Sequence, residues 1–265
     1  MNWATTYTLD LGNSNPSVGE FLNNELISVI PLIQFLQGPR IPGAVSICSE
    51  VRTHLPPDLV AELKPMSPVD YFTAGRLFNL PVHYATTLGA DRLVQAYALF
   101  NEFFTTENAQ ASSIQLIDSG TFTTVDLITA NGFEGGHIIP GLNLLSRSFT
   151  MGEKLPALTL EQVVAFYPRK DEMPQTTHHA MGLGVWQMLK GFFTEWHRQH
   201  RPEKIILTGG QAQVLLPLLR EISSTSIEVR SNLIHHALFS LAHKIVDENL
   251  HRISSPLEEP LCPTY

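Results

Sequence analysis

The chain has 265 residues, of which 43% are hydrophobic and only 16% are charged, so it can bury enough apolar surface for two lobes. Its 17 lysines and arginines are outnumbered by 25 acidic residues, which gives a formal net charge of −8 without any basic run or stripe. Binding to a nucleic-acid backbone needs clustered positive charge, so we expect no nucleic-acid partner.

The two cysteines, Cys48 and Cys262, are far apart and lack the spacing of a metal site, which is typical of a protein from a reducing compartment. The N-terminus has no basic segment followed by a long apolar one, and the apolar stretch at 26–36 is too short to span a bilayer. None of the 11 histidines forms a zinc-type motif. We therefore expect a cytoplasmic protein with no membrane association and no transition metal.

The first half of the chain alternates strand and helix patterns. The pattern predicts a strand at 6–12, a hairpin at 17–30 turning at Asn23-Asn24, a strand at 43–51, and helices at 56–64 and 91–104. An α/β protein is the class that this alternation favours.

The second half continues in the same way. The pattern predicts a strand at 114–117, a hairpin through Asn131-Gly132, helices at 141–149 and 176–200, a strand, Gly-Gly turn and helix at 203–219, and a helix at 231–250 with Ser231 as its N-cap.

One device occurs twice. When "TLDLGNSNPSVGEFLNNELI" is placed beside "LIDSGTFTTVDLITANGFEG", Asp10 falls on Asp118 and Gly12 on Gly120, an offset of 108 residues. In each copy an apolar strand ends in Asp-x-Gly, small polar residues follow, and a second strand leads into a turn containing Asn. We therefore predict an internal duplication, with an N-terminal lobe at 1–111 and a C-terminal lobe at 112–265 facing one cleft.

A carboxylate at a strand end beside a glycine turn has two possible roles. It can simply accept hydrogen bonds from the N–H groups of its own turn. Alternatively, the glycine lets the backbone approach phosphate oxygens, and the acid holds a cation that offsets the phosphate charge. Two copies of the device favour a nucleotide-phosphate clamp.

Two further loops carry chemistry. In "LGADR", Asp91 and Arg92 stand where a glycine loop enters a helix, so Asp91 is either a favourable helix-terminal acid or the acceptor of a proton from an attacking hydroxyl. Arg92 is either a surface partner or a group that fixes a polar acceptor. The third loop, "LTGGQAQ" at 207–213, is either an ordinary strand-to-helix turn or a site of close ligand approach.

Five segments taken in order resemble a known family: "DLGNS" at 10–14, "LGADR" at 88–92, "DSGTFTTVD" at 118–126, "GGHIIPG" at 135–141 and "LTGG" at 207–210. Together they are similar to the type III pantothenate kinases, the family that includes the Bvg accessory factor homologues. The resemblance implies two ribonuclease H-like lobes of the acetate and sugar kinase, Hsp70 and actin superfamily, with mixed sheets flanked by helices. It also implies ATP-dependent phosphorylation of pantothenate, the first step of coenzyme A synthesis.

The resemblance assigns roles residue by residue. Asp91 would accept the proton, and Asp118 would bind the monovalent cation, K⁺ or NH₄⁺. Asp10 would organise the Mg²⁺-associated phosphates. ATP would be bound by Asp10, Leu11, Gly12, Asn13, Ser14, Asn15, Pro16, Ser17 and Thr121. Pantothenate would be bound by Tyr84, Gly89, Ala90, Arg92 and Thr177, the last of these across a homodimer interface.

The chain departs from the family at two loop positions. The first loop of the family continues to a lysine, about DxGNTxxK, where this chain has Ser17. The second loop has Phe122 at the last position of the DxGTA pattern. The missing lysine keeps a second hypothesis open, a non-catalytic regulatory or binding relative with weakened use of ATP. A third hypothesis is a kinase of the same superfamily with another hydroxylated substrate.

Overall fold

The computed structural model describes residues 5–12, 15–50, 55–105, 111–152, 154–167 and 172–254. The chain divides into two compact units, one made of the residues up to Asp70 together with those from Ile234 onward, and the other of Tyr71–Leu233. These packing units differ from the lobes expected at 1–111 and 112–265, because residues 71–105 pack with the second unit and the C-terminal helix packs with the first.

The sheet of the first unit has four strands in the order β3-β2-β1-β4. The strands are β1 (Thr5–Asp10), β2 (Ser17–Leu22), β3 (Glu25–Pro31) and β4 (Val45–Cys48). The first three are antiparallel neighbours, and β4 runs parallel to β1. Asn23 and Asn24 turn the hairpin with φ angles of 49° and 71°, a left-handed pair that asparagine tolerates, so the predicted hairpin is confirmed.

Helices cover both faces of this first sheet. They are α1 (Leu32–Gln37), α2 (Pro57–Leu63) and α8 (Leu233–Ser254). Leu9 and Val18 belong to a cluster with residues of α1 and α2. On the other face, Phe21 stacks on Phe239 of α8 with the ring centroids 4.1 Å apart. The helix α8 begins two residues beyond the predicted cap at Ser231, because Asn232 has a left-handed φ of 58°.

The main sheet of the second unit has five strands in the order β10-β9-β8-β11-β12. The strands are β8 (Ser113–Ser119), β9 (Phe122–Thr129), β10 (Gly132–Pro140), β11 (Lys204–Thr208) and β12 (Ser226–Val229). The first three are antiparallel, and β11 runs parallel to β8 just as β4 runs parallel to β1. The two sheets therefore share one strand order, in which Asp10 and Asp118 lie at the same end of equivalent strands. This common order of four strands agrees with the internal duplication predicted from the sequence.

The described residues of the second unit also form three short strands and five α-helices. The strands β5 (Phe72–Thr73), β6 (Arg76–Leu77) and β7 (Leu80–Pro81) form a small antiparallel sheet. The helices are α3 (Ala90–Phe104), α4 (Leu142–Ser148), α5 (Leu160–Phe166), α6 (Thr177–His200) and α7 (Ala212–Ile222). The core packs β8, β9 and β11 against α6 and α7 around Trp186 and Phe193. Across the described parts of the chain, no helix combines the length and apolar character needed to cross a membrane.

Candidate active site

The first glycine loop is held at its start by Asp10. The Oδ1 atom of Asp10 accepts a hydrogen bond from the Gly12 N–H group at 3.2 Å and another from the Ser49 hydroxyl at 3.1 Å. The Ser49 oxygen in turn accepts from the Leu11 N–H group at 3.0 Å. Asp10 therefore does cap its own turn, and Ser49, which directly follows β4, adds a second support that sequence reasoning missed.

The rest of the first loop is only partly described, since Asn13 and Ser14 lie outside the described residues. Asn15 is exposed, and the Pro16 carbonyl accepts from the N–H group of Leu32 at 2.8 Å, which joins the end of the loop to the start of α1. Ser17 is the register partner of Asp10 across the β1-β2 ladder. The loop thus leaves and re-enters the sheet at two adjacent positions.

Ser17 contacts a histidine that the sequence did not single out for this site. The Ser17 Oγ atom lies 3.0 Å from Nε2 of His235, and the Nδ1 atom of the same ring lies 2.8 Å from Oγ1 of Thr8. His235 is only 1% exposed, and its burial lowers its pKa to about 4. Gly19 makes room for the ring, because a methyl group there would lie 2.8 Å from Nδ1.

In the second loop, Asp118 is enclosed by residues from α3 and from the third loop. Its Oδ2 atom accepts from the Gln95 side-chain amide at 2.9 Å. Gly209 of "LTGG" has a φ of +89°, and a methyl group on it would lie 2.5 Å from Oδ1 of Asp118 and from the Ser119 carbonyl. Only glycine fits at this position. The third loop is therefore not only a strand-to-helix turn, because its backbone packs directly against the Asp118 carboxylate.

Thr121 is half-buried in the turn that follows Asp118. Its carbonyl accepts from the Gly141 N–H group at 2.9 Å, and any side chain on Gly141 would overlap the Gly120 carbonyl. The last glycine of "GGHIIPG" is thus required for this close approach. Phe122 is 44% exposed, so its ring lies largely outside the packed interior of the unit.

The "LGADR" segment forms the start of α3. Gly89 is the N-cap, Ala90 is 5% exposed, and Asp91 lies in the first turn. A methyl group on Gly89 would lie 2.5 Å from Oδ1 of Asp91, so the carboxylate folds back over the helix N-terminus. A negative charge is stabilised there by the helix dipole. The helix-terminal interpretation of Asp91 is therefore confirmed, and a role as proton acceptor is compatible with it.

Arg92 is committed to a buried ion pair with Asp126. The Nε atom lies 3.2 and 3.1 Å from the two oxygens of Asp126, Nη2 makes a further contact with Oδ1, and the two residues are 4% and 0% exposed. Burial raises the pKa of the Asp126 carboxyl, and the Arg92 guanidinium partly reverses this. Gly136 is necessary for the pair, because a side chain there would overlap Oδ1 of Asp126. Arg92 is thus neither a surface residue nor a mobile ligand.

Tyr84 flanks this ion pair. Its ring centroid lies 5.3 Å from Cζ of Arg92, and the centroid of the Phe133 ring lies 5.6 Å from the same atom. The segment before Tyr84 is fixed to the sheet by the His83 N–H group, which donates to the Phe133 carbonyl at 2.9 Å. The structure therefore brings Tyr84 and Arg92 together.

Thr177 is exposed at the first position of α6. Its role as a substrate contact stays a prediction.

The side chains at Asp118 offer oxygen atoms of the kind that bind cations. Asp118 supplies carboxylate oxygens, and Gln95 supplies an amide oxygen, Oε1, that is buried without a hydrogen-bond partner among the described residues. Oxygen ligands of this kind suit hard cations, and a buried carbonyl oxygen without a partner is costly unless something binds it. Gln95 also lies four residues after Asp91, so the two occupy one face of α3.

A family model described as type III pantothenate kinase matches residues 7–199. The chain belongs to the type III pantothenate kinase family. The match contains every site residue expected from the sequence, from Asp10 to Thr177, and it ends before Gly209 and His235.

Two relatives in the family show the degree of similarity. A type III pantothenate kinase of Flavobacterium johnsoniae is 33% identical over 156 residues, which are 57% of this chain and 61% of the relative. One of Synechococcus elongatus is 29% identical over 168 residues, which are 61% of this chain and 62% of the relative. The chain thus spans about three fifths of the length of the curated relatives it matches.

Two solved structures resemble the fold. A Campylobacter jejuni protein, named as a Baf family transcriptional activator, has a TM-score of 0.58 at 21% identity, covering 92% of this chain and 99% of its own. A Listeria monocytogenes protein, named as an N-acetylmannosamine kinase, has a TM-score of 0.52 at 11% identity with the same coverage of both chains. At these identities the likeness shows the fold alone, an α/β fold with mixed sheets flanked by helices, as expected from the sequence.

Replacement of Asp126 by alanine should strongly destabilise the protein. Removing one member of a buried ion pair leaves the other charge uncompensated, a loss of about 3–5 kcal/mol in the free energy of unfolding. Urea denaturation of Asp126→Ala measures this loss. Glu195→Ala is the control, because it breaks the exposed pair between Glu195 and Arg198 and should barely shift the midpoint. Equal midpoints for the two variants would contradict the structural importance of the pair.

The buried His235 should make stability depend on pH below neutrality. An unfolded histidine binds a proton near pH 6.5, whereas the folded His235 stays neutral down to about pH 4. Its contribution is therefore complete above pH 6.5 and is lost as the pH falls toward 4, by about 3 kcal/mol in total. Urea denaturation at several pH values, compared between the wild type and His235→Gln, isolates this contribution from those of other histidines. Parallel pH profiles for the two proteins would exclude it.

Proposed function

We propose that this protein phosphorylates pantothenate with ATP to give 4'-phosphopantothenate and ADP, the first step of coenzyme A synthesis. The observation that carries the proposal is the family match over 7–199, which retains Asp10, Asp91 and Asp118 together. The packing around these acids supports it, because Gly89 and Gly209 each leave space for a carboxylate that any larger residue would displace.

Asp91 is the proposed proton acceptor. The pantothenate hydroxyl oxygen forms a bond to the γ-phosphorus of ATP while the bond from that phosphorus to the β,γ-bridging oxygen breaks, and ADP leaves with the electron pair. The hydroxyl proton passes to the Asp91 carboxylate. The fixed start of α3 supports this role, because phosphoryl transfer depends mainly on positioning and on charge stabilisation.

We propose that pantothenate binds beside Asp91, in contact with Arg92, Tyr84, Gly89 and Ala90. Because Asp126 holds the Arg92 guanidinium at Nε and Nη2, the arginine offers a fixed cation and little conformational freedom is lost on binding. Thr177 is proposed to contribute from the partner in a homodimer. We also propose that the protein acts in the cytoplasm.

Cations are proposed at both glycine loops. When bound, Mg²⁺ and K⁺ or NH₄⁺ would neutralise the charge on the ATP phosphates, which an acidic protein would otherwise repel. Asp10 would orient the Mg²⁺-bound phosphates, and the loop at 11–17 and Thr121 would contact ATP. Asp118 would hold the monovalent cation with the Gln95 amide oxygen as a further ligand.

The proposed function predicts ADP release that requires both ATP and pantothenate and that is faster in K⁺ or NH₄⁺ than in Na⁺. Asp91→Asn should lower kcat about 10²–10⁴-fold, because the proton acceptor is lost. The coupled ADP-release assay measures both effects. Asp58→Asn is the control, since Asp58 is likewise a first-turn acid, on α2, but is exposed and has no proposed role.

Each failure has a separate meaning. An Asp91→Asn variant with wild-type kcat would remove the proton-acceptor assignment. A folded wild type that binds neither pantothenate nor an ATP analogue in calorimetry would contradict the kinase activity. ADP release with another hydroxylated compound but not with pantothenate would change the substrate.

Gln95→Leu should weaken the response to the monovalent cation. Loss of a ligand that also orients Asp118 should raise the K⁺ concentration for half-maximal activity about 10–100-fold. It should also remove the extra thermal stabilisation that K⁺ gives over Na⁺, a readout that does not depend on turnover. Gln115→Leu is the control, because Gln115 is 2% exposed and its Oε1 is likewise without a partner in the described structure. If both variants respond to K⁺ like the wild type, Gln95 is not a ligand.

A further inference from the structure

Ser17 stands where the family has a lysine, and its side chain is engaged. Ser17 and Asp10 are register partners on neighbouring antiparallel strands, so their side chains point to the same face of the sheet. Thr8 and Gly19, which pair two positions further along, share that face. It is the face on which Phe239 of α8 packs.

The hydrogen bonds around His235 have assignable directions. The Thr8 hydroxyl donates to the Gly19 carbonyl at 3.2 Å, so its oxygen accepts from His235, which must carry its proton on Nδ1. A histidine with a pKa near 4 is neutral at physiological pH, so Nε2 carries no proton and accepts from the Ser17 hydroxyl. The three hydrogen bonds that link Ser17, His235, Thr8 and Gly19 therefore each have one donor and one acceptor.

The sheet is shaped to hold this ring. A methyl group on Gly19 would lie 2.6 Å from Oγ1 of Thr8 and 2.8 Å from Nδ1 of His235, so glycine is needed at this strand position. His235 is 1% exposed and Thr8 is 0% exposed. A polar ring buried to this degree with both nitrogens bonded lies in one fixed orientation, which a surface histidine would not.

We propose that His235 is a positioning residue for the first phosphate loop, which it holds by fixing Ser17 at the end of that loop. The inference rests on the proposed use of ATP. The other end of the loop is fixed by Asp10 and Ser49, so both ends are held in place before the nucleotide binds. A loop without a lysine has only backbone N–H groups and neutral polar side chains to offer a phosphate, and such groups bind more tightly when the ends that carry them are already fixed.

The assignment adds something that the family match does not contain. The match ends at residue 199, and His235 lies on α8. The lysine of the family would bring a positive charge to the phosphates. Here Ser17 occupies that position, and its hydroxyl is hydrogen-bonded to the neutral ring of His235 on α8. The chain thus has, in place of a direct charge, a hydrogen bond that fixes Ser17 at the end of the loop.

Calorimetry with a non-hydrolysable ATP analogue and Mg²⁺ tests the proposal. His235→Phe keeps an aromatic ring but removes both hydrogen bonds, and it should weaken analogue binding about tenfold. The KM for ATP should rise by the same factor, while the KM for pantothenate and kcat stay as in the wild type. His235→Gln can still donate and accept, so it should recover most of the affinity. His243→Phe, two turns further along α8, is the control and should bind like the wild type.

A second variant keeps the test decisive if His235→Phe does not fold. Ser17→Ala removes the same hydrogen bond from the other side and should cause a similar loss, and the double variant should lose no more than either single one. Wild-type affinity in a folded His235→Phe or Ser17→Ala protein would overturn the positioning role alone. A wild type that binds no analogue would instead overturn the proposed function and this inference with it.

Discussion

The buried ion pair between Arg92 and Asp126 joins the first turn of α3 to strand β9 of the second sheet. Asp91 precedes Arg92 directly, and Gln95 follows it by less than one turn, so fixing the guanidinium also fixes these two side chains. Because both charges are nearly inaccessible to solvent, neither can move without leaving its partner uncompensated. The proposed proton acceptor and the proposed cation ligands therefore share one rigid helix start.

Glycines support this arrangement by leaving space. Gly136 admits the Asp126 carboxylate, Gly209 admits Asp118, and Gly89 admits Asp91. Two of the three stand where the φ angle would accept any residue, and only Gly209 has a positive φ. These motifs therefore need glycine because the backbone packs closely against carboxylates. They do not need it for backbone flexibility.

Local patterns carried most of the fold prediction. The hairpin at Asn23-Asn24, the strand ends at Asp10 and Asp118 and the helix over 91–104 all follow from periodicity and turn chemistry within about 15 residues. Long-range partners did not follow. Asp126 lies 34 residues from Arg92, and His235 lies 218 residues from Ser17, and nothing in a single sequence indicates which buried acid or histidine meets which partner. The packing units also differ from the repeat-based lobes, because a repeat records ancestry whereas packing depends on which apolar faces meet.

The helix α8 has a consequence for how the protein is made. The face of the first sheet that carries Thr8, Ser17 and Phe21 is covered by a helix that leaves the ribosome last among the described elements. Until then, Phe21 and the buried hydroxyl of Thr8 on a sheet face made early in synthesis have no cover, and Ser17 lacks its histidine partner. Contacts between residues so far apart in sequence form slowly. Until they form, the uncovered sheet face can aggregate with other chains. Nascent chains of this protein would therefore depend on chaperones for longer than chains whose first sheet is covered by adjacent helices.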